Sequence, residues 1–169
     1  TKAGDRIEIL DKFRTMGYKV GIVGATGAVG QELISLLENR KFPLDELRLF
    51  SSSRSAGKRV SALGESVIIE EATESCFDGL DFAIFSASGT LSKVLCPAAA
   101  AAGVVAIDNS SAFRMDLNVP LVIPEINAAA AKEHEGIIAN PNCTTAITLM
   151  ATFPLHQRFG LKRLITSTY

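Results

Sequence analysis

The stretch Lys19-Val20-Gly21-Ile22-Val23-Gly24-Ala25-Thr26-Gly27-Ala28-Val29-Gly30 decides the fold. Lys19 to Gly24 reads as a short buried strand bounded by glycine. Ala28 to Arg40 reads as a helix with Val29, Leu33, Leu36 and Leu37 on one face. Between them lies Gly24-x-x-Gly27-x-x-Gly30, where a dinucleotide pyrophosphate would rest on the helix N-terminus. Glycines there permit a tight turn and close backbone approach, and the free helix N–H groups with the positive dipole end hold phosphate. A glycine turn that only packs would look the same in isolation. Its position at the first strand–helix junction of an alternating pattern favours nucleotide binding.

The alternation continues outward from that turn. A helical lead-in, with Ile7, Leu10 and Phe13 at helical spacing, precedes it. Strands are expected at Leu47 to Ser51, more weakly near Val67 to Ile69, then at Asp81 to Ser86 and Val104 to Asp108. A helix from Leu91 to Ala102 contains Pro97, which should kink it by removing one helical hydrogen bond. Strands alternating with helices predict an α/β fold, a Rossmann-like doubly wound parallel sheet. Leu121 to Ile126 then reads as extended, Ala128 to Glu135 as a short helix and Ile137 to Asn140 as a strand. A helix from about Thr144 to Phe153, ended by Pro154, and a strand-like Leu164 to Tyr169 without a partner complete the pattern. The chain therefore reads as stopping inside a larger protein.

With 47% hydrophobic and 21% charged residues, the 169-residue chain can build one ordinary core. A net charge of -1 and the lack of a basic run give no footprint for nucleic acid or an anionic membrane, so small-molecule chemistry is expected. Cys76, Cys96 and Cys143 are odd in number and widely spaced, which suggests neither a disulfide framework nor a metal site and fits a reducing compartment. No apolar stretch is long enough for a membrane helix, and the first eighteen residues mix acids with bases, unlike a targeting peptide. The expected localisation is cytoplasmic. Because the chain begins at Thr1, prior removal of a transit peptide, and with it the plastid stroma, stays open.

Four further strings carry chemistry. A strand that ended in a carboxylate would suit the ribose 2′-hydroxyl of NAD. The second strand here runs instead into Ser51-Ser52-Ser53-Arg54-Ser55-Ala56-Gly57-Lys58-Arg59, hydroxyls and a guanidinium built for a 2′-phosphate, so NADP is the expected cofactor. Ser86-Ala87-Ser88-Gly89 and Asn109-Ser110-Ser111-Ala112-Phe113-Arg114 both follow strands, at the sheet edge where such folds bind ligands. Arg114 is a natural fork for a phosphate or carboxylate. Cys143 sits where a strand turns into a helix, so the N-terminal N–H groups and dipole end favour its thiolate. The same N–H groups, with the Asn142 amide, could hold an oxyanion. Cys76 and Cys96 read as inert buried thiols. His134 and His156 read as surface residues too far from Cys143 to serve it, so the general base is expected after Tyr169.

Together, Gly24-x-x-Gly27-x-x-Gly30, Ser53-Arg54-Ser55-Ala56-Gly57, Asp108 through Arg114, Pro124-Glu125-Ile126-Asn127 and Asn140-Pro141-Asn142-Cys143-Thr144 resemble, in order and spacing, the aspartate-semialdehyde dehydrogenase family. The resemblance runs from about Lys19 to Tyr169. Relatives that reduce N-acetylglutamyl phosphate typically read Asn-Pro-Gly-Cys-Tyr at the nucleophile, and Asn142 and Thr144 argue against them. The resemblance implies NADP held by Gly24, Thr26, Gly27, Ala28 and Val29 at the pyrophosphate, by Ser53, Arg54 and Ser55 at the 2′-phosphate, and by Ser88 and Gly89. It implies that Arg114, with Asn109, binds the phosphate of an acyl-phosphate substrate, that Cys143 carries the acyl group and that Asn142 assists. It further implies an N-terminal extension (1–18), an NADP-binding domain (19–142) and the truncated start of an α+β catalytic and dimerisation domain (143–169). The partners are then a small acyl phosphate and phosphate, with a homodimer or dimer of dimers through that second domain. A catalytically silent NADP-binding regulator is the rival of another class.

Overall fold

The computed structural model describes residues 17–167, so the helical lead-in expected around Ile7 to Phe13 lies outside the described residues, as do Thr168 and Tyr169. Seven strands form one sheet: β1 (Tyr18–Val23), β2 (Leu44–Ser51), β3 (Arg59–Ala62), β4 (Glu65–Glu71), β5 (Phe82–Phe85), β6 (Val105–Asp108) and β7 (Ile137–Ala139). Their spatial order is β3-β4-β2-β1-β5-β6-β7. Every pairing is parallel except β3 with β4. The chain steps one way from β1 to β2 and later returns to place β5 on the other side of β1. That reversal is the topological switch point at which doubly wound sheets bind their ligands.

Two apolar layers cover the sheet because successive strand side chains point to opposite faces. Ile22 and Leu49 join Ile34 of helix α1 (Ala28–Asn39) in one cluster. Their neighbours Val23 and Phe50 join Phe77, Phe85, Leu95 and Cys96 in the other, beneath helix α2 (Gly89–Ala101). Continuous apolar runs in β1 and β5 are thus explained by burial on both faces.

The expected face of α1 needs correction. Ile34 and Gly30 are its buried residues and Leu33 and Leu37 pack beside them, whereas Val29 and Leu36 are exposed. Helix α2 runs uninterrupted through Pro97. The weak strand near Val67 to Ile69 is the centre of β4, and β3 before it was not foreseen. Arg59 belongs to β3, where its Nη1 donates to the Ser66 carbonyl at 3.2 Å, and is not a loop cation. The segment expected to be extended at Leu121 to Ile126 makes only a single bridge, Leu121 to Ala139. It then turns into the short helix α3 (Pro124–Asn127) and a 3-10 turn (Ala128–Glu133). Proline is pre-shaped for a helix start, which is why Pro124 opens α3.

Helix α4 (Cys143–Phe159) does not stop at Pro154 but at Gly160, whose positive φ of 68° forms a left-handed cap. Leu164 to Ser167 form no strand.

Candidate active site

The glycine turn joins β1 to α1 at the switch point, and its tightness can be tested atom by atom. A Cβ on Gly24, whose φ is +89°, would lie 2.1 Å from the Ser86 carbonyl oxygen at the end of β5. One on Gly30 would lie 2.3 Å from the Gly24 carbonyl oxygen. These two glycines are therefore obligatory for the crossing of the turn over β5 and for the packing of α1 against it. Gly27 is the N-cap and supplies no side-chain cap. The first-turn N–H groups of α1 consequently have no side-chain acceptor from that position and are suited to an anion. The cradle fits a dinucleotide pyrophosphate. Thr26 Oγ1 lies 3.0 Å from Ser51 Oγ, joining the turn to the end of β2.

Past β2, Ser55 and Ala56 both donate backbone N–H groups to the Ser52 carbonyl, at 2.8 and 3.1 Å, folding Ser53, Arg54 and Ser55 into a compact turn. Arg54 is exposed and makes no hydrogen bond among the described residues. Ser88 caps α2 by accepting from the Leu91 N–H at 3.3 Å, and Gly89 opens that helix with ordinary clearance to Ser110, Ser111 and Ala112. The loop after β6 thus borders the start of α2.

That loop is organised by a fully buried carboxylate. Asp108 accepts from the Ser110 N–H at 3.0 Å and from its hydroxyl at 2.7 Å, and the Ser110 oxygen accepts in turn from Ala112 N–H at 3.0 Å. Arg114 then spans two strand ends: Nε donates to the Asn140 carbonyl and Nη2 to the Asn109 carbonyl, each at 2.9 Å. The Nε–Nη2 edge that usually grips an oxyanion is thus committed to the protein. Nη1 and the second Nη2 hydrogen are the donors left for a ligand.

Asn140 leads directly into Asn142 and Cys143. Asn142 is the N-cap of α4, its Oδ1 accepting from the Thr144 N–H at 3.0 Å and from the Thr144 hydroxyl. Capping uses the oxygen end of the amide, so its Nδ2 is the end available to an oxyanion. Cys143 is the first residue of α4 and is exposed. Cys76 and Cys96 are buried, and desolvation pushes both thiols up from their ordinary range. His156 is exposed on α4. His134, half-buried, accepts from the Gly136 N–H at 3.0 Å before β7, at the end of the strand opposite Cys143.

The structure therefore brings the glycine turn, Ser53 to Ser55, Ser88 and Gly89, Asn109, Arg114, Asn142 and Cys143 to the carboxyl ends of β1, β2, β5, β6 and β7. Sequence reasoning missed the connections among them: the Thr26–Ser51 pair, the Asp108–Ser110 network and the bonds of Asn140. The signal for the last was strand register. Asp108 pairs with Ala139, which sets Asn109 beside Asn140.

A dinucleotide-binding α/β domain that presents a helix-start thiol on its ligand edge is what fold and site define. Residues 19–134 match the family described as semialdehyde dehydrogenase, NAD binding domain, and the chain belongs to that family. It is 50% identical over 153 residues to the aspartate-semialdehyde dehydrogenase of Bacillus subtilis, covering 90% of this chain and 44% of that protein. Among solved structures, aspartate semialdehyde dehydrogenase II of Vibrio cholerae, complexed with ASA, superposes with a TM-score of 0.84 at 45% identity, covering 88% of this chain and 49% of that one. The Candida albicans enzyme solved with NADP superposes with a TM-score of 0.65 at 25% identity over 86% of this chain and 48% of its own. The chain spans about half the length of the relatives it matches.

Proposed function

We propose that the protein containing this chain reduces 4-aspartyl phosphate to aspartate 4-semialdehyde with NADPH, through a thioester on Cys143. The observation that carries the reading is the placement of an exposed cysteine, capped by Asn142 at a helix start, on the same sheet edge as the glycine turn and Arg114. The likeness to aspartate-semialdehyde dehydrogenases, one solved with NADP and one with ASA, supports the choice of substrate and cofactor.

Gly24, Thr26, Gly27, Ala28 and Val29 would hold the pyrophosphate, Ser53, Arg54 and Ser55 the 2′-phosphate, and Ser88 and Gly89 the part of the cofactor nearest β5. When bound, NADPH supplies hydride. Arg114 and Asn109 hold the phosphate group of the substrate, which orients its acyl carbon toward Cys143. The Cys143 sulfur attacks that carbon and phosphate leaves, giving an acyl thioester. Sulfur conjugates weakly with the carbonyl, so the carbon stays electrophilic. Nδ2 of Asn142 and first-turn N–H groups of α4 bind the developing oxyanion. After reduction, collapse of the thiohemiacetal frees the semialdehyde and restores Cys143. The general base and remaining substrate ligands come from a further domain, of which 143–169 is the beginning; that division is supported by the absence of any buried residue in α4. A homodimer or dimer of dimers and a cytoplasmic location accompany this reading through the family resemblance.

The test is the full-length protein assayed with aspartate semialdehyde, phosphate and NADP, following NADPH formation, beside the N-acetylglutamyl counterpart. Turnover of the aspartyl substrate is expected. Faster turnover of the acetylated one, or none of either, would overturn the reading.

A further inference from the structure

We propose that Asn140 is a positioning residue that decides which end of the Asn109 amide faces the substrate's phosphate group, an inference that rests on the acyl-phosphate reading above. Asn140 directly follows β7, with its backbone fully engaged. Its N–H donates to the Asp108 carbonyl at 2.8 Å, and its carbonyl accepts from Arg114 Nε at 2.9 Å. Its side chain then reaches the neighbouring strand end, where Nδ2 donates to Asn109 Oδ1 at 2.8 Å.

An asparagine amide has one accepting end and one donating end. A donor held on the oxygen of Asn109 leaves its NH2 as the end that remains, on the residue whose carbonyl Arg114 already grips at 2.9 Å. Amide hydrogens and guanidinium hydrogens together suit a phosphate, whereas a carbonyl oxygen turned the same way would face the anion with its lone pairs. The bond between the two asparagines also ties this loop to the strand that leads, three residues later, to Cys143. Phosphate recognition and nucleophile are thereby held in one frame.

Two substitutions at Asn140 separate this role from simple support. Ionised aspartate only accepts, so Asn140→Asp satisfies the contact only if Asn109 turns over and points its oxygen at the anion. Asn140→Ala removes the constraint and leaves Asn109 free to keep its better end. In the full-length protein, inorganic phosphate affinity by calorimetry and the phosphate KM in the semialdehyde-oxidising direction should weaken about tenfold or more in Asn140→Asp. In Asn140→Ala the loss should be about threefold or less, with NADPH affinity within about twofold in both.

A new carboxylate also repels phosphate directly, so the pair is repeated with Asn109→Ala. There the two Asn140 variants should bind phosphate within about threefold of each other, the coupling expected when one side chain acts through the other. An aspartate penalty undiminished in that background shows charge alone and overturns the proposal. So does an Asn140→Asp protein that binds phosphate like the unmodified one, a parallel loss of NADPH affinity in both variants, or an unmodified protein that binds no phosphate. Phosphate binding without turnover of aspartate semialdehyde would instead sink the substrate reading, while the calorimetric comparison still decides the role of Asn140.

Discussion

Phe85 on β5 and Ile147 on α4 are both large and apolar, yet the first is fully buried and the second is 71% exposed. The difference extends to the regions that carry them. The sheet and its two covering helices bury a core on both faces, whereas α4 buries none of its seventeen residues, and Phe159 at its end is 75% exposed. Clefts of about 320 and 250 Å³ run between α4 and the segment from Leu161 to Thr166. The glycine turn is thus held by the core of the sheet itself. The helix bearing the nucleophile is capped locally by Asn142, follows directly from the strand end at Asn140, and touches α3. Under the proposed function, this apolar, uncovered helix is the surface on which the further domain would pack.

The comparison breaks most sharply at Cys143. Cys143→Ala in the full-length protein should lower turnover by about ten-thousandfold or more while leaving NADPH affinity unchanged, because the proposed function gives the residue to the chemistry and not to the cradle. Residual turnover near that of the unmodified protein would remove Cys143 from the mechanism.

Stability should divide along the same line. Phe85→Ala opens a cavity in the sheet and is expected to cost about 3–5 kcal/mol, whereas Ile147→Ala in this chain should stay within about 0.5 kcal/mol. Urea denaturation of the two variants measures both. Similar costs would mean that α4 is packed as firmly as the sheet.

A smaller effect concerns the loop beyond β2. Arg54→Ala should erode the preference for NADPH over NADH by about ten- to a hundredfold, the worth of one or two charge-assisted hydrogen bonds to a phosphate. Ratios of kcat/KM for the two cofactors decide it, and an unchanged ratio would move 2′-phosphate recognition elsewhere.

The smallest effect separates the thiols. Exposed Cys143 should be alkylated before Cys76 and Cys96, which are buried and held in the neutral form. Burial raises the folded-state pKa of Cys96 above its ordinary 9.0, so the unfolded chain releases that proton first as pH rises. Stability from this group is complete below about pH 9 and then falls by up to about 1.4 kcal/mol per pH unit. Cys96→Ala should flatten that alkaline decline in urea midpoints. An identical decline in the variant would assign it to other groups.

Much of this molecule is legible in its sequence, for reasons of local chemistry. Glycines at 24, 27 and 30 between an apolar strand and an amphipathic helix specify the phosphate turn, because no other residue tolerates the contacts found at Gly24 and Gly30. Hydroxyls and Arg54 where a carboxylate would serve NAD, and Cys143 at a helix start, are likewise readable from residue type and position. The edge hairpin of β3 and β4 escaped notice because a four-residue strand, Arg-Val-Ser-Ala, has too little apolar alternation to stand out from a basic loop. Pro154 reads as a stop in the sequence, yet proline also occurs within helices, and here the left-handed Gly160 ends α4.

What the tertiary structure alone decided was which distant groups meet. Arg114 reads as a free fork in the sequence, yet two of its five N–H donors are spent bridging Asn109 to Asn140, residues that come together only through the parallel register of β6 and β7. Side-chain type and spacing along the chain do not by themselves fix the register of strands buried on both faces. It is set by how both sheet faces pack at once, and that long-range condition determines which donors remain for a ligand.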